Sequence, residues 1–260
     1  MKHKSIIVLL IVAILSFSAC APNKGENSSG ANRSSVTDNS AVDSSKLETN
    51  SSMPAESSNA STEEATVKPL VATVGYNYTE GDDYIHYTLV LENPNDNIYV
   101  DFPSATVAVR SEDGSLVGSD DATMMKIGPL DIAVFSGQIS NKTHKSVASI
   151  EATVTNSERD YKKDNSDDYT PTNELFEVSG VSITEGEYYG ADIIGEIQNN
   201  SGKDSEMIAV CLVLYNGDTI VGGATTYIEN IPVGTKLPFE LKMFSDLPEY
   251  TSYKIFIQYW

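Results

Sequence analysis

Reactive side chains are scarce in this sequence. Three histidines and two cysteines occur in 260 residues. His86 reads as a strand residue on the face opposite the core, and His144 lies in a lysine-rich turn at 141–145. No serine or cysteine stands in a nucleophile motif, and no glycine-rich phosphate loop occurs. The sequence carries no catalytic motif, so neither an enzyme nor a bound cofactor is expected. Basic residues are also few, 17 against 37 acidic ones, which leaves a net charge of −20. That sign excludes casual attraction to nucleic acid or anionic lipid, whose phosphates are negative. It favours solubility, cations or basic partners. No apolar run has the ~20 residues a membrane-spanning helix needs, and no stretch shows helical spacing with caps.

What is present begins at the N-terminus. Lys2, His3 and Lys4 precede an apolar run at 6–17 broken only by Ser16, then the small residues Ser18 and Ala19, then Cys20. This is the layout of a secretory signal peptide over 1–19. The closing residues Phe17-Ser18-Ala19-Cys20 resemble the bacterial lipoprotein lipobox, with Phe17 where Leu is usual. The resemblance implies cleavage just before Cys20 and transfer of a diacylglyceryl group to its sulfur. A thiol suits that role because its thiolate is the nucleophile. Two acyl chains suffice for stable anchoring where one does not. The implied location is extracytoplasmic, on the cell membrane and facing outward.

From Cys20 through residue 66 the chain is dominated by Ser, Asn, Thr, Ala and Glu. It has no aromatic residue, and Val36, Val42, Leu47 and Met53 follow no period. Such a segment buries too little surface to offset ordering entropy and is expected to be a disordered linker. As a coil its ends would lie roughly 35–40 Å apart, and fully extended it could reach roughly 150 Å.

The remainder reads as strands. At 208–222 the sequence Ile-Ala-Val-Cys-Leu-Val-Leu-Tyr-Asn-Gly-Asp-Thr-Ile-Val-Gly is an unbroken apolar run, a turn and a returning strand. Apolarity without alternation predicts a strand covered on both faces. Asn216-Gly217 is the preferred pair of a type I′ hairpin turn. Earlier, Ile85, Tyr87, Leu89 and Leu91 alternate with His86, Thr88, Val90 and Glu92, which predicts one buried face. Asn93-Pro94-Asn95-Asp96 closes that strand, and further strands are expected near 107–109, 132–139, 147–154 and 253–260. The last has Tyr253, Ile255, Ile257 and Tyr259 on one face, and Phe256 and Trp260 on the other.

Two copies of one unit are visible. Thr79-Glu80-Gly81 recurs as Thr184-Glu185-Gly186, Asn93 as Asn199, and Leu116-Val117-Gly118 as Ile220-Val221-Gly222. The interval from Gly118 to Phe135 equals that from Gly222 to Phe239, 17 positions. A shared spacing between turn glycine and core aromatic points to duplication. The second unit resembles the FxLYD domain, a small β-sandwich module of bacterial extracytoplasmic proteins. Its namesake pattern falls on Leu212-Val213-Leu214-Tyr215-Asn216, and the flanks 195–202 and 231–235 with Phe239 also fit. The first unit has Val109-Arg110 in place of the Leu-Tyr pair. The resemblance implies an immunoglobulin-like fold and no activity. The expected fold is therefore all-β, two tandem antiparallel immunoglobulin-like sandwiches at 67–157 and 174–260.

A polar, acidic linker is expected at 158–173. Its carboxylates Asp160, Asp164, Asp167 and Asp168 are candidate Ca²⁺ ligands. The spacing fails the EF-hand pattern, and Lys162 and Lys163 oppose a cation, so no metal site is assigned. Cys211 reads either as a small buried hydrophobe in phase with Val213 and Tyr215 or as half of an intermolecular disulfide. Tyr76 and Tyr78, with Tyr188 and Tyr189, read as a contact rim for carbohydrate or protein, or as solvated strand residues. The only site residue assigned is Cys20, for lipidation. The expected role is a non-catalytic surface lipoprotein presenting its sandwiches to an envelope protein or wall polymer. An accessory ligand-binding subunit for transport or sensing is the rival, although two such small units are expected to leave little room for a cleft.

Overall fold

The computed structural model describes residues 66–163, 169–186 and 190–260, all within one compact unit of the chain. Cys20, the leader and the Ser/Asn-rich segment up to residue 65 lie outside the described residues, as do Asp164, Asp167, Asp168, Tyr188 and Tyr189. Of the described residues 61% are in strands, and the one α-helix is a single turn, so the fold is all-β.

The first sandwich is built from β1 (Val71–Asn77), β2 (Tyr84–Glu92), β3 (Ile98–Asp101), β4 (Ser104–Arg110), β5 (Leu116–Thr123), β6 (Lys126–Ile127), β7 (Ile132–Ser140), β8 (Ser149–Val154) and β9 (Tyr161–Lys163). Its two main sheets have the orders β1-β2-β7 and β5-β4-β8, and a small third sheet is β6-β3-β9. Ile85, Tyr87, Leu89 and Leu91 on one face of β2 meet Ala105, Val107 and Val109 of β4 in one apolar core. The β2 alternation predicted this face.

A helical turn α1 (Thr172–Leu175) leads into the second sandwich, made of β10 (Phe176–Glu185), β11 (Ala191–Asn199), β12 (Ser205–Asn216), β13 (Thr219–Ile231), β14 (Lys236–Met243) and β15 (Ser252–Tyr259). Its sheets have the orders β10-β11-β14 and β13-β12-β15. These two sheets repeat the two main sheets of the first sandwich strand for strand, all pairs antiparallel. A bulge interrupts the central hairpin at the same place in both, between Val109 and Arg110 and between Leu214 and Tyr215.

The repeated asparagines explain part of the likeness. Asn93 donates its amide to the carbonyls of Ile98 (2.6 Å) and Gly128 (2.7 Å), while its oxygen accepts from the Asn95 backbone (3.1 Å). Asn199 donates to Lys203 (2.9 Å) and Ile231 (2.8 Å) and accepts from the Ser201 backbone (3.0 Å). Each closes a turn and satisfies carbonyls that crossing connections leave buried.

The structure departs from the sequence reading in three places. The hairpin turn is centred on Gly217-Asp218, one residue later than expected, because Asn216 is still part of the ladder, opposite Thr219. Gly217 has φ 62° and no other residue of the turn has positive φ, which fits type II′ rather than type I′. Second, β2 is buried on both faces: Thr88 and Val90 are covered as fully as the core side. Third, the described parts of 158–173 are built into the fold. Tyr161–Lys163 pairs with β3, Tyr161 packs on the first core and accepts a hydrogen bond from Leu70 (3.1 Å), and Thr172 is buried.

The second departure has a cause that spans both sandwiches. Val90 and Val134 meet Ala209, Cys211, Val213, Ile220 and Phe256 in a third apolar layer between sheet β1-β2-β7 and sheet β13-β12-β15. Within this unit the four main sheets are thus stacked with three apolar layers between them. The unbroken run in β12 divides by parity: Ile208, Val210, Leu212 and Leu214 face their own core, and Ala209, Cys211 and Val213 face the other sandwich. Two glycines permit the approach. A Cβ on Gly75 would fall 1.9 Å from the Ile220 carbonyl oxygen, and one on Gly223 would fall 2.6 Å from the Thr88 hydroxyl.

The outer faces of the stack are mostly polar, with Ile194 exposed among them. Aligning the two bulges puts Ala108, Thr106 and Ser104 where Val213, Cys211 and Ala209 stand. Aligning Asn93 on Asn199 puts Ile194 and Glu196 where Thr88 and Val90 stand. Ion pairs Lys236–Glu196 (3.4 Å), Lys242–Asp192 (3.2 Å) and Arg110–Glu151 (2.8 Å) lie on these faces. Each end resists adding another layer, as the terminal units of repeat arrays do.

Candidate functional site

The polar chemistry of the described residues gathers at the junction of the sandwiches. Gln258 lies on the β15 face that meets the first sandwich, in alternation with Phe256 and Trp260. Its oxygen accepts from the Val134 backbone N–H (2.8 Å), and its amide donates to the Val134 carbonyl (3.1 Å). This places a satisfied amide in an apolar layer and fixes the register between sandwiches. Beside it Asp131 is buried. One carboxylate oxygen accepts from the Ile132 backbone (2.8 Å). The other accepts from the Tyr169 hydroxyl (2.6 Å) and from the backbone and hydroxyl of Thr172 (3.1 and 3.3 Å). Burial and the Asp131 carboxylate together hold the Tyr169 hydroxyl well above the ordinary phenol range. Asp131 therefore ties the connecting segment to the first sandwich.

Cys211 sits inside the junction, fully buried, with its sulfur 3.5 Å from the Thr225 hydroxyl and 3.7 Å from the Val134 carbonyl. Burial pushes the thiol up to about 12, so the thiolate that bridging would require is suppressed. The buried-hydrophobe reading describes this position, and a bridge to a second chain would need the stack to open.

Two open clefts lie beside Gln258 and Asp131. One, of about 550 Å³, runs past Leu130, Ile132, Glu174, Phe176, Lys254 and Phe256. The other, of about 560 Å³, is lined by Lys126, Tyr169, Ser201, Lys203, Gln258 and Tyr259. Lys126 sits over the Tyr99 ring at 3.7 Å, and Lys203 lies 5.9 Å from the Tyr259 ring. The Tyr259 ring is braced edge-on by Phe176, centroids 6.0 Å apart.

Other residues singled out in the sequence lie elsewhere. Tyr76 and Tyr78 pack on the first core, and the Tyr78 hydroxyl accepts from Asn141 (3.1 Å), so they form no exposed rim. His86 is half-buried, and desolvation lowers its pKa against a smaller opposing pull from Asp82. His144 faces Asp83 at 3.7 Å. Asp160 accepts from the backbone and hydroxyl of Ser157 (2.8 and 2.9 Å), and Lys162 pairs with Asp101 (2.7 Å). The remaining carboxylates considered for Ca²⁺, and Cys20, are outside the described residues. Among the described residues no group of three or more His, Cys, Asp or Glu could hold a metal ion, and no helix is long and apolar enough to cross a membrane. Sequence reasoning missed Asp131, Tyr169, Lys126 and Lys203. Gln258 alone left a signal, as the polar member of an apolar strand face.

No family model matches the chain, and no curated protein does. Solved structures with some likeness are a Bacteroides uniformis beta-glucuronidase (15% identity, 68% of this chain and 25% of that one, TM-score 0.22) and a calcium-binding mutant of Bacteroides uniformis beta-glucuronidase 2 (14%, 64% and 23%, TM-score 0.19). The same beta-glucuronidase 2 bound covalently to cyclophellitol-6-carboxylate aziridine gives 15%, 68% and 25%, with TM-score 0.22. The chain spans about a quarter of the length of these proteins, and likeness at these scores says nothing of activity.

Proposed function

We propose that the chain is a non-catalytic, lipid-anchored lipoprotein of the cell exterior, held through Cys20 and presenting a rigid double sandwich to an envelope protein or wall polymer. The observation that carries the anchor is the leader itself: a basic start, a short apolar run, small residues and Cys20, then a segment without aromatics. The FxLYD-like reading of the second sandwich belongs to the same proposal, supported by 212–216 and its flanks. The non-catalytic part is supported by how the buried polar groups are engaged: Asp131, Gln258, Asn93 and Asn199 are all committed to holding backbone or neighbouring side chains. The rival, an accessory ligand-binding subunit, draws support from the two junction clefts.

The anchor is tested by expressing the full chain in a bacterial host fed an alkyne-tagged palmitate. The chain should take the label, and Cys20→Ala should abolish labelling and release the chain from membranes. An unlabelled original chain refutes the anchor. The presenting role is tested by capture from intact envelopes with the full chain in detergent. Recovery of a small solute without protein or polymer would favour the rival.

A further inference from the structure

We propose that the cleft between Lys126 and Lys203 binds an anionic polysaccharide, whose sugar rings lie on Tyr259 and Tyr169 and whose carboxylate or phosphodiester groups meet the two ammonium groups. The inference rests on the wall-polymer reading above and names the chemistry that polymer must carry.

At about 560 Å³ the cleft is in the range of small-ligand sites. Its aromatic walls are held in place. Tyr259 is braced by Phe176, and Tyr169 is tied through its hydroxyl to Asp131. Rings already fixed lose little freedom on binding, and the apolar C–H face of a sugar ring suits their electron-rich faces. Gln258 is committed to Val134, and Ser201 donates to Asn199 (2.6 Å), so neither amide nor hydroxyl is the main attraction.

The charge of the cleft is positive in a negative molecule. Lys126 and Lys203 have no carboxylate within ion-pair distance among the described residues, whereas Lys162, Lys236 and Lys242 do. The one acid of the lining, Asp131, has both oxygens occupied by donors from the protein. Repulsion from the net charge of −20 is screened beyond about 8 Å at physiological ionic strength. Among the described residues of the lining, the two ammonium groups of Lys126 and Lys203 outnumber the one carboxylate of Asp131.

The test uses the full chain in detergent micelles and isothermal titration calorimetry with three probes: oligogalacturonate for carboxylates, phosphomannan for phosphodiesters, and uncharged cellohexaose. At least one anionic probe should bind, more weakly as salt rises. Lys126→Gln and Lys203→Gln should each weaken it roughly three- to fivefold, the effect of losing one partly exposed ion pair. Lys242→Gln, on the far polar face, should leave binding unchanged. Tyr259→Ser should reduce binding to every probe that binds. No binding to any probe, equal binding of cellohexaose, or anionic binding untouched by both lysine changes each overturns the proposal. If Cys20 labelling and polymer capture succeed while the lysine variants bind like the original, the site is wrong and the anchor reading stands. Loss of labelling with lysine-dependent binding intact is the reverse.

Discussion

A single methyl group at position 75 should pry the two sandwiches apart. In Gly75→Ala the new Cβ would lie 1.9 Å from the Ile220 carbonyl oxygen, 2.6 Å from its carbon and 2.7 Å from Ile220 Cβ. These are mostly backbone atoms, so no side chain can swing away. Ordinary contact begins at 3.4 Å, and the difference from 1.9 Å means that β1 and β13 must separate by about 1.5 Å. The apolar layer of Val90, Val134, Cys211 and Val213 loses a quarter to a half of its contact attraction once a gap of ~0.5–1 Å opens. Overpacking alone costs about 1–3 kcal/mol, so with the lost contacts about 3 kcal/mol is expected. For a body of this size that lowers Tm by roughly 6–12 °C. The assay is scanning calorimetry together with the rate at which Ellman's reagent reaches Cys211, on a Cys20→Ser background that leaves one thiol. Gly114→Ala is the control, because its added Cβ meets nothing within 4 Å although φ is +80°. It should lose about 1 kcal/mol without exposing the thiol. A Gly75→Ala protein with Tm within about 1 °C of the original and an unreactive Cys211 would refute the packing argument.

Further predictions concern individual groups. Asn199→Ala strands the buried carbonyl of Ile231 and loses the bond to Lys203, and should lower stability by about 2–3 kcal/mol. Asn93→Ala should behave alike, and urea unfolding reads both. Tyr87→Phe removes the 2.7 Å bond to Asp120 and should lose about 1–2 kcal/mol by the same measurement. The Cys211 thiol, raised to about 12 in the fold from an ordinary 9.0, stays protonated when folded and ionises sooner when unfolded. Its stabilising effect is complete below pH 9.0 and falls away toward pH 12, by about 1.4 kcal/mol per pH unit. Alkaline unfolding should therefore come later in Cys211→Ala than in the original, once the two are matched at pH 7. An unchanged alkaline midpoint would mean that the thiol is solvated.

The strands were legible because their cues are local. Ile85 to Leu91 alternate, and one face is the first core. Asn93 and Asn199 end equivalent strands and make equivalent bonds. The turn after β12 was placed one residue early because Asn216 is taken into the ladder opposite Thr219, and no single strand records its partner. Thr88 and Val90 were assigned to an outer face. They are covered by the second sandwich, more than a hundred residues away in sequence, and periodicity within β2 carries no trace of it. In β12 the same arrangement left a plain signal, since Ala209, Cys211 and Val213 are apolar between apolar neighbours. Its meaning was half-visible: two covered faces, but not what covers the second.

The cleft was illegible for a related reason. Lys126, Tyr169, Lys203 and Tyr259 occupy four separate segments, and no spacing links them. Asp131 looked like any loop acid until Tyr169 and Thr172 arrived from the connecting segment. By itself the sequence determined the all-strand character and the duplication, because both follow from side-chain type and spacing along the chain. Only the tertiary structure decided that the two units share an apolar layer, that 158–163 and 169–173 belong to the fold, and where charge and aromatic rings converge. Those features depend on contacts between distant strands, and such contacts are set by packing the whole chain at once.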